Sequence, residues 1–163
     1  MIKSKVGILF VCMGNICRSP TAEGVFRAVA QRAGWARRLR VASAGTHDFH
    51  IGEPPDPRAI ASAQRRGYDI HKCRARQIEP RDFARFDWIV AMDQNNLRRL
   101  MELRPKNFGG HVGLLLDMAP ALGMRDVPDP YYGGPDGFER ILDLIEPASE
   151  ALLARVALAT QVE

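Results

Sequence analysis

The run Val6-Gly7-Ile8-Leu9-Phe10-Val11 contains no polar side chain. A strand with one wet face alternates apolar and polar residues, so a run apolar throughout belongs inside a structure, covered on both faces. Further stretches of strand length follow at 39–44 (L-R-V-A-S-A), 87–92 (D-W-I-V-A-M) and 111–116 (H-V-G-L-L-L). Helical patterns separate or follow them at 20–34, 57–66, 94–103 and 136–159. In the last of these Phe138, Ile141, Leu142, Ile145, Leu152 and Val156 fall on one stripe, with Arg140, Glu146 and Arg155 off it. Pro20 and Pro57 suit first turns, and Gly34 and Gly67 suit stops. Buried strands alternating with helices predict an α/β fold: one domain over 1–163, a four-stranded parallel sheet and helices on both faces. Ligands of such sheets bind beyond the carboxyl ends of the strands. Cys12, Ser43, Asp93 and the residues after 116 would project there.

The end of the first strand carries the chemistry. Residues 12–20 read C-M-G-N-I-C-R-S-P. Where C-x5-R joins a strand to a helix, the backbone N–H groups of Met13 to Arg18 can curl inward as a nest, with Gly14 expected to supply a positive φ. The helix that follows aims its free donors and positive dipole end at the same point. The Arg18 guanidinium matches two oxygens of a phosphate. The result is an oxyanion cradle with Cys12 at its centre and a phosphate loop between strand 1 and helix 1. Cations and helix N-termini lower a cysteine pKa from near 8.5 to about 3.5–7.5, so Cys12 is expected to act as a thiolate. The Ser19 hydroxyl is a suitable donor to it.

These residues resemble the low-molecular-weight protein tyrosine phosphatases, whose signature C-x-G-N-x-C-R-S-P is present without a gap. The resemblance continues through S-A-G-T (43–46), P-D-P-R (55–58), A-R-Q (75–77), F-D-W-I (86–89), M-D (92–93) and D-P-Y-Y-G (129–133). It implies metal-independent hydrolysis of phosphotyrosine in proteins through a phosphocysteine on Cys12. Arg18 is implied as the phosphate clamp and Asp129 as general acid and then base. Met13, Gly14, Asn15, Ile16, Cys17 and Ser19 would form or hold the loop, and Ser43 and Asp93 would support it. Tyr131, Tyr132, Phe49 and Ile16 would wall a slot for the aromatic ring. Cys17 is implied as an oxidation partner of Cys12. No cofactor or metal is expected, and the partners would be phosphotyrosine proteins, a bacterial tyrosine kinase among them. One departure stands out: the family histidine before A-R-Q falls at Cys73, leaving His71 or nothing in its role.

Other readings are weighed against this one. Arsenate reductases of the fold add cysteines near 82–90, where R-D-F-A-R-F-D-W-I has none. Phosphoarginine phosphatases commonly carry threonine where Ile16 stands here. A phosphoprotein-binding module would keep Arg18 but have no use for Asp129. The formal charge of +4, with 19 of 23 basic residues arginine, would suit nucleic acid, but the arginines are scattered rather than gathered on one stripe with aromatics. Lys3, Lys5 and the run 6–11 imitate a signal peptide, yet the run ends in Cys12 rather than a small-residue cleavage site. No stretch approaches the roughly 18 apolar residues of a membrane span. Three cysteines, two of them close together, favour a reducing compartment and a cytoplasmic setting.

Overall fold

A computed structural model describes residues 5–134 and 136–161; Lys3 and the outermost ends of the expected 1–163 domain lie outside them. Four strands, β1 (Val6–Cys12), β2 (Leu39–Gly45), β3 (Trp88–Ala91) and β4 (His111–Leu114), form one sheet in the order β2-β1-β3-β4. Every pairing is parallel, with Cys12 opposite Gly45 and Val11 opposite Ala91. The helices are α1 (Arg18–Arg32), α2 (Pro57–Arg65), α3 (Asp82–Arg85), α4 (Gln94–Leu103) and α5 (Gly137–Gln161).

The apolar run of β1 explains the layering. Successive side chains point to opposite faces, and here each face meets its own core. Ile8, Phe10 and Cys12 join α1 and α5 residues such as Phe26, Val29, Ile141 and Ile145. Leu9 and Val11 join Phe83 of α3, Leu100 of α4 and Leu114 of β4. Phe10 meets Phe26 edge-on with centroids 5.5 Å apart. Emptying the Phe10 site would cost about 3–5 kcal/mol. The six-residue stripe read from the last helix is buried in full. Pro147 sits inside that helix at an exposed position, so the backbone bond it removes faces solvent rather than core.

Several boundaries differ from the sequence reading. The first helix starts at Arg18, before its proline; the second begins at Pro57 as read, capped by Asp56, whose side chain accepts the Arg58 N–H at 2.8 Å, and ends one residue early at Arg65. Residues 115–118 leave the sheet as a 3₁₀ turn, so β4 is shorter than its apolar run. The four-residue helix α3 was not expected. β2 is an edge strand with Arg40 exposed, not an apolar run throughout. The carboxyl ends of β1, β2 and β3 open on one crevice, which holds the phosphate loop.

Candidate active site

The loop 13–17 is bent by Asn15, whose φ of 59° lies in the left-handed region. Asparagine tolerates that conformation better than most residues, and its side chain is fully engaged. Nδ2 donates to Ser19 Oγ (2.7 Å) and Ser43 Oγ (3.0 Å), while Oδ1 accepts the Arg76 backbone N–H at 3.0 Å. The positive φ thus falls on Asn15 and not on Gly14, as the sequence suggested. Gly14 is small for another reason: a Cβ there would stand 3.0 Å from His50 Cδ2. Gly45 is tighter still, with a Cβ placed 2.7 Å from the Met13 carbonyl oxygen.

Cys12 is 3% exposed. Its sulfur lies 3.0 Å from Ser19 Oγ and accepts the Asn15 N–H at 3.3 Å. Helix α1 has no side-chain cap. Among the described residues, the amides of Gly14, Ile16, Cys17 and Arg18 find no protein acceptor. Donors at a helix N-terminus that are left unsatisfied in this way suit an anion.

Arg18 is 2% exposed and its fork is divided. Nη1 donates to Asp93 Oδ2 at 2.6 Å and to the Val127 carbonyl at 3.0 Å. Nη2 makes a longer contact, 3.8 Å, with Asp129 Oδ2. Burial works against the guanidinium charge, but Cys12 and the Asp93 bond outweigh it and hold its pKa above the ordinary value. Asp129 itself is steadied by the Tyr131 N–H, which donates to Oδ1 at 3.0 Å.

Cys12, Arg18 and Asp129 line one cavity of about 300 Å³. Met13, Gly14, Ile16, Cys17, Phe49, Tyr131 and Tyr132 complete its wall as expected, and His50 joins them unforeseen. Asn15, Ser19, Ser43 and Asp93 stand behind it through the bonds above. Phe49 stacks on His47 at 5.0 Å, and Tyr131 meets Tyr132 edge-on at 4.9 Å. Arg58 donates to Asp56 and to the Tyr131 carbonyl (3.3 Å), and Asp56 N–H donates to the Ile16 carbonyl (2.8 Å). This pair ties the phosphate loop to the loop bearing Asp129. Its signal, P-D-P-R, was visible in the sequence, but its role was not.

A model of the family described as low molecular weight phosphotyrosine protein phosphatase matches residues 7–162. The chain belongs to this family.

A low molecular weight protein-tyrosine-phosphatase of Streptomyces coelicolor is 47% identical over 91% of this chain and 92% of its own length. A protein tyrosine phosphatase of Entamoeba histolytica has a solved structure with a TM-score of 0.92 and 36% identity, covering 96% of this chain and 99% of its own. A Drosophila arginine phosphatase is more distant, with a TM-score of 0.85 and 28% identity over 91% of this chain and 96% of its own. As a low molecular weight phosphatase, the chain is an enzyme of the protein-tyrosine-phosphatase kind.

Within this phosphatase the layer behind the loop has its own composition. Ser43 Oγ donates to Glu23 Oε1 at 2.7 Å, and Arg27 pairs with the other Glu23 oxygen at 2.8 Å. Cys73 faces Glu23, and burial, then that carboxylate, push its thiol up to about 11. His71 does not replace the family histidine: it is exposed and pairs with Asp69. Cys17, like Cys12, is buried and forms no disulfide among the described residues. Burial first, then the charges of Asp56 and Cys12, push the Cys17 thiol up to about 12. Cys17 is therefore protonated at neutral pH.

Proposed function

We propose that the enzyme hydrolyses phosphotyrosine in proteins by way of a phosphocysteine on Cys12, without a metal. The reading is supported above all by the placement of the Cys12 sulfur beneath unsatisfied loop amides, beside a buried Arg18 and within one cavity with Asp129. A phosphate seated there would meet the amides of Gly14, Ile16, Cys17 and Arg18 and the unspent Nε and Nη2 of Arg18. These donors meet the equatorial oxygens, where charge gathers in phosphoryl transfer. A cation bound by the protein would duplicate what Arg18 supplies.

In the first step the Cys12 thiolate forms a sulfur–phosphorus bond as the phosphorus–phenol oxygen bond breaks, and Asp129 gives the departing phenolate its proton. In the second, Asp129 takes a proton from water as that water attacks phosphorus. The sulfur–phosphorus bond breaks, inorganic phosphate leaves, and Cys12 returns as thiolate. Ser19 and Asn15 hold the sulfur anion in both resting states. Ser43, Asp93 and the Asn15 side chain position the loop rather than touch the reacting atoms.

The aromatic wall argues for a tyrosine substrate. Ile16, Phe49, Tyr131 and Tyr132 offer flat apolar contact to a phenyl ring, and Ile16 stands where a phosphoarginine phosphatase commonly has threonine. We read residues 1–163 as one catalytic domain of a reducing, cytoplasmic setting, with phosphoproteins as partners and a bacterial tyrosine kinase as one candidate class. Among the described residues, no helix is long and apolar enough to cross a membrane.

Turnover of para-nitrophenyl phosphate tests the mechanism. Cys12→Ser should abolish it, and Asp129→Ala should lower kcat by roughly 10²–10⁴ while leaving phosphate affinity nearly intact. Turnover that survives Cys12→Ser overturns the covalent route. Phosphotyrosine and phosphoarginine peptides compared side by side separate the two phosphatase readings, and binding without turnover would identify a recognition module.

A further inference from the structure

A second cavity, of about 680 Å³, lies outside the catalytic one. Its walls carry Arg40, Arg76, Arg81 and Arg85, and Ile51 and Phe86 contribute apolar surface. Four guanidiniums around one hollow repel one another unless something neutralises them. Two are neutralised internally. Arg76 makes a two-bond pair with Asp82 at 3.0 Å, and Arg81 pairs with Glu79, which also lines the wall. Among the described residues, Arg40 and Arg85 have no carboxylate within salt-bridge reach. Arg40 Nη1 donates instead to the Arg85 carbonyl at 3.3 Å, which brings the two uncompensated arginines to one end of the hollow.

One end of the hollow adjoins the phosphate site through one short loop, and the other reaches toward the amino end of the sheet. Phe49 and His50 line the catalytic cavity, and Ile51 lines the arginine cavity. Gly52 N–H donates to the Ala75 carbonyl (2.8 Å) and Ala75 N–H to the Glu53 carbonyl (2.9 Å), so this loop is fastened to the segment bearing Arg76. The Arg76 N–H in turn holds Asn15. A polypeptide leaving the ring slot across residues 49–51 therefore meets the Arg76 end of the hollow first; Arg40 stands opposite Gly7, five strand residues or about 16 Å back from the level of Cys12 and Gly45. Extended chain advances about 3.3–3.6 Å per residue, so reaching the free arginines takes roughly five residues.

We propose that the arginine cavity is a substrate subsite, which takes acidic side chains lying roughly five to seven positions from the phosphotyrosine. The inference rests on the phosphatase reading and adds the class of sequence that the enzyme prefers. Arg40 and Arg85 supply the free charge. Arg76 and Arg81 shape the hollow while bonded to their own carboxylates.

Three fluorescent phosphotyrosine peptides test it, with glutamates roughly five to seven residues before the tyrosine, the same after it, or alanines throughout. The enzyme should favour one glutamate peptide over the alanine peptide by roughly threefold to tenfold in kcat/KM, the range that two partly exposed ion pairs supply. The gain should appear in KM and shrink as KCl is raised from 50 to 300 mM, about the range over which exposed charges become screened. The double variant Arg40→Gln/Arg85→Gln should lose the preference and hydrolyse para-nitrophenyl phosphate and the alanine peptide at the unaltered rate. Equal treatment of all three peptides overturns the subsite, as does a preference that ignores salt or survives in the double variant. Absence of all turnover would instead sink the phosphatase reading. Anisotropy titration of the same peptides then judges the subsite alone: glutamate-dependent binding lost in the double variant supports it, and equal binding overturns it.

Discussion

Asp93 serves two structures at once, and two substitutions can separate them. Its Oδ2 accepts from the buried Arg18 at 2.6 Å. Its Oδ1 caps α4 by accepting the Asn96 N–H at 2.8 Å, and Asn96 Oδ1 returns a bond from the Asp93 N–H at 3.1 Å. Asp93→Asn keeps a good capping residue but removes the charge facing Arg18. A hydrogen bond to a charged group contributes about 1.5–3 kcal/mol, and Arg18 retains the Val127 carbonyl and the longer Asp129 contact. The expected loss is therefore about 2 kcal/mol. Asp93→Ala forfeits the cap as well, a further loss of about 1 kcal/mol. For a chain of this size each kcal/mol lowers Tm by about 2–4 °C. The asparagine variant should melt about 4–8 °C lower and the alanine variant about 6–12 °C lower. If the same bond aims the guanidinium during phosphoryl transfer, 2 kcal/mol corresponds to about a thirtyfold fall in kcat/KM. Thermal melts and para-nitrophenyl phosphate kinetics on both variants provide the readings. Equal melting of the two variants would remove the capping contribution. Wild-type melting together with wild-type kcat/KM in Asp93→Asn would refute the claim that Asp93 orients Arg18.

Two further perturbations probe the layers around the loop. Because its pKa is raised to about 12 from an ordinary 9.0, Cys17 leaves stability untouched below about pH 8. Between pH 9 and 12 the unfolded chain ionises there first, so the native state loses about 1.4 kcal/mol per pH unit from this group. Urea unfolding at pH 8 and pH 10 should show Cys17→Ala to be less alkali-sensitive than the wild type, and identical sensitivity would contradict the burial of that thiol. Cys73→His would set an N–H donor beside Glu23, which already accepts from Ser43. It should raise Tm and alter turnover, whereas no change in either would show that position 73 does not communicate with the loop network.

The sequence carried the sheet because β1 is buried on both faces, and such a strand has no polar alternation to disguise it. It did not reveal α3, since Asp82–Arg85 is about one turn long and offers no helical period. It overextended β4, because a run of leucines is equally at home in a strand and in a buried 3₁₀ turn. The histidine question was also undecidable from spacing: His71 and Cys73 are two residues apart, and only the turn between them decides which faces Glu23.

The cradle was legible because its parts are neighbours. Cys12, Asn15 and Ser19 lie within eight residues, and a strand-to-helix turn of that length brings their atoms together almost regardless of what surrounds it. The partners of Arg18 are a different matter. Asp93 is 75 positions away and Val127 is 109 positions away, and no local rule connects them. Asp93 arrives because β3 pairs beside β1, which brings the residues after one strand next to the loop after the other, and Val127 is held there by its N–H, which donates to the Met92 carbonyl at 2.8 Å. The left-handed backbone at Asn15 depends in the same way on Ser43 and on the amide of Arg76, both supplied from beyond β1. Chain connectivity alone fixed where the sulfur and its nearest donors stand, while the order of the strands decided which charges aim the arginine and where the second arginine hollow forms.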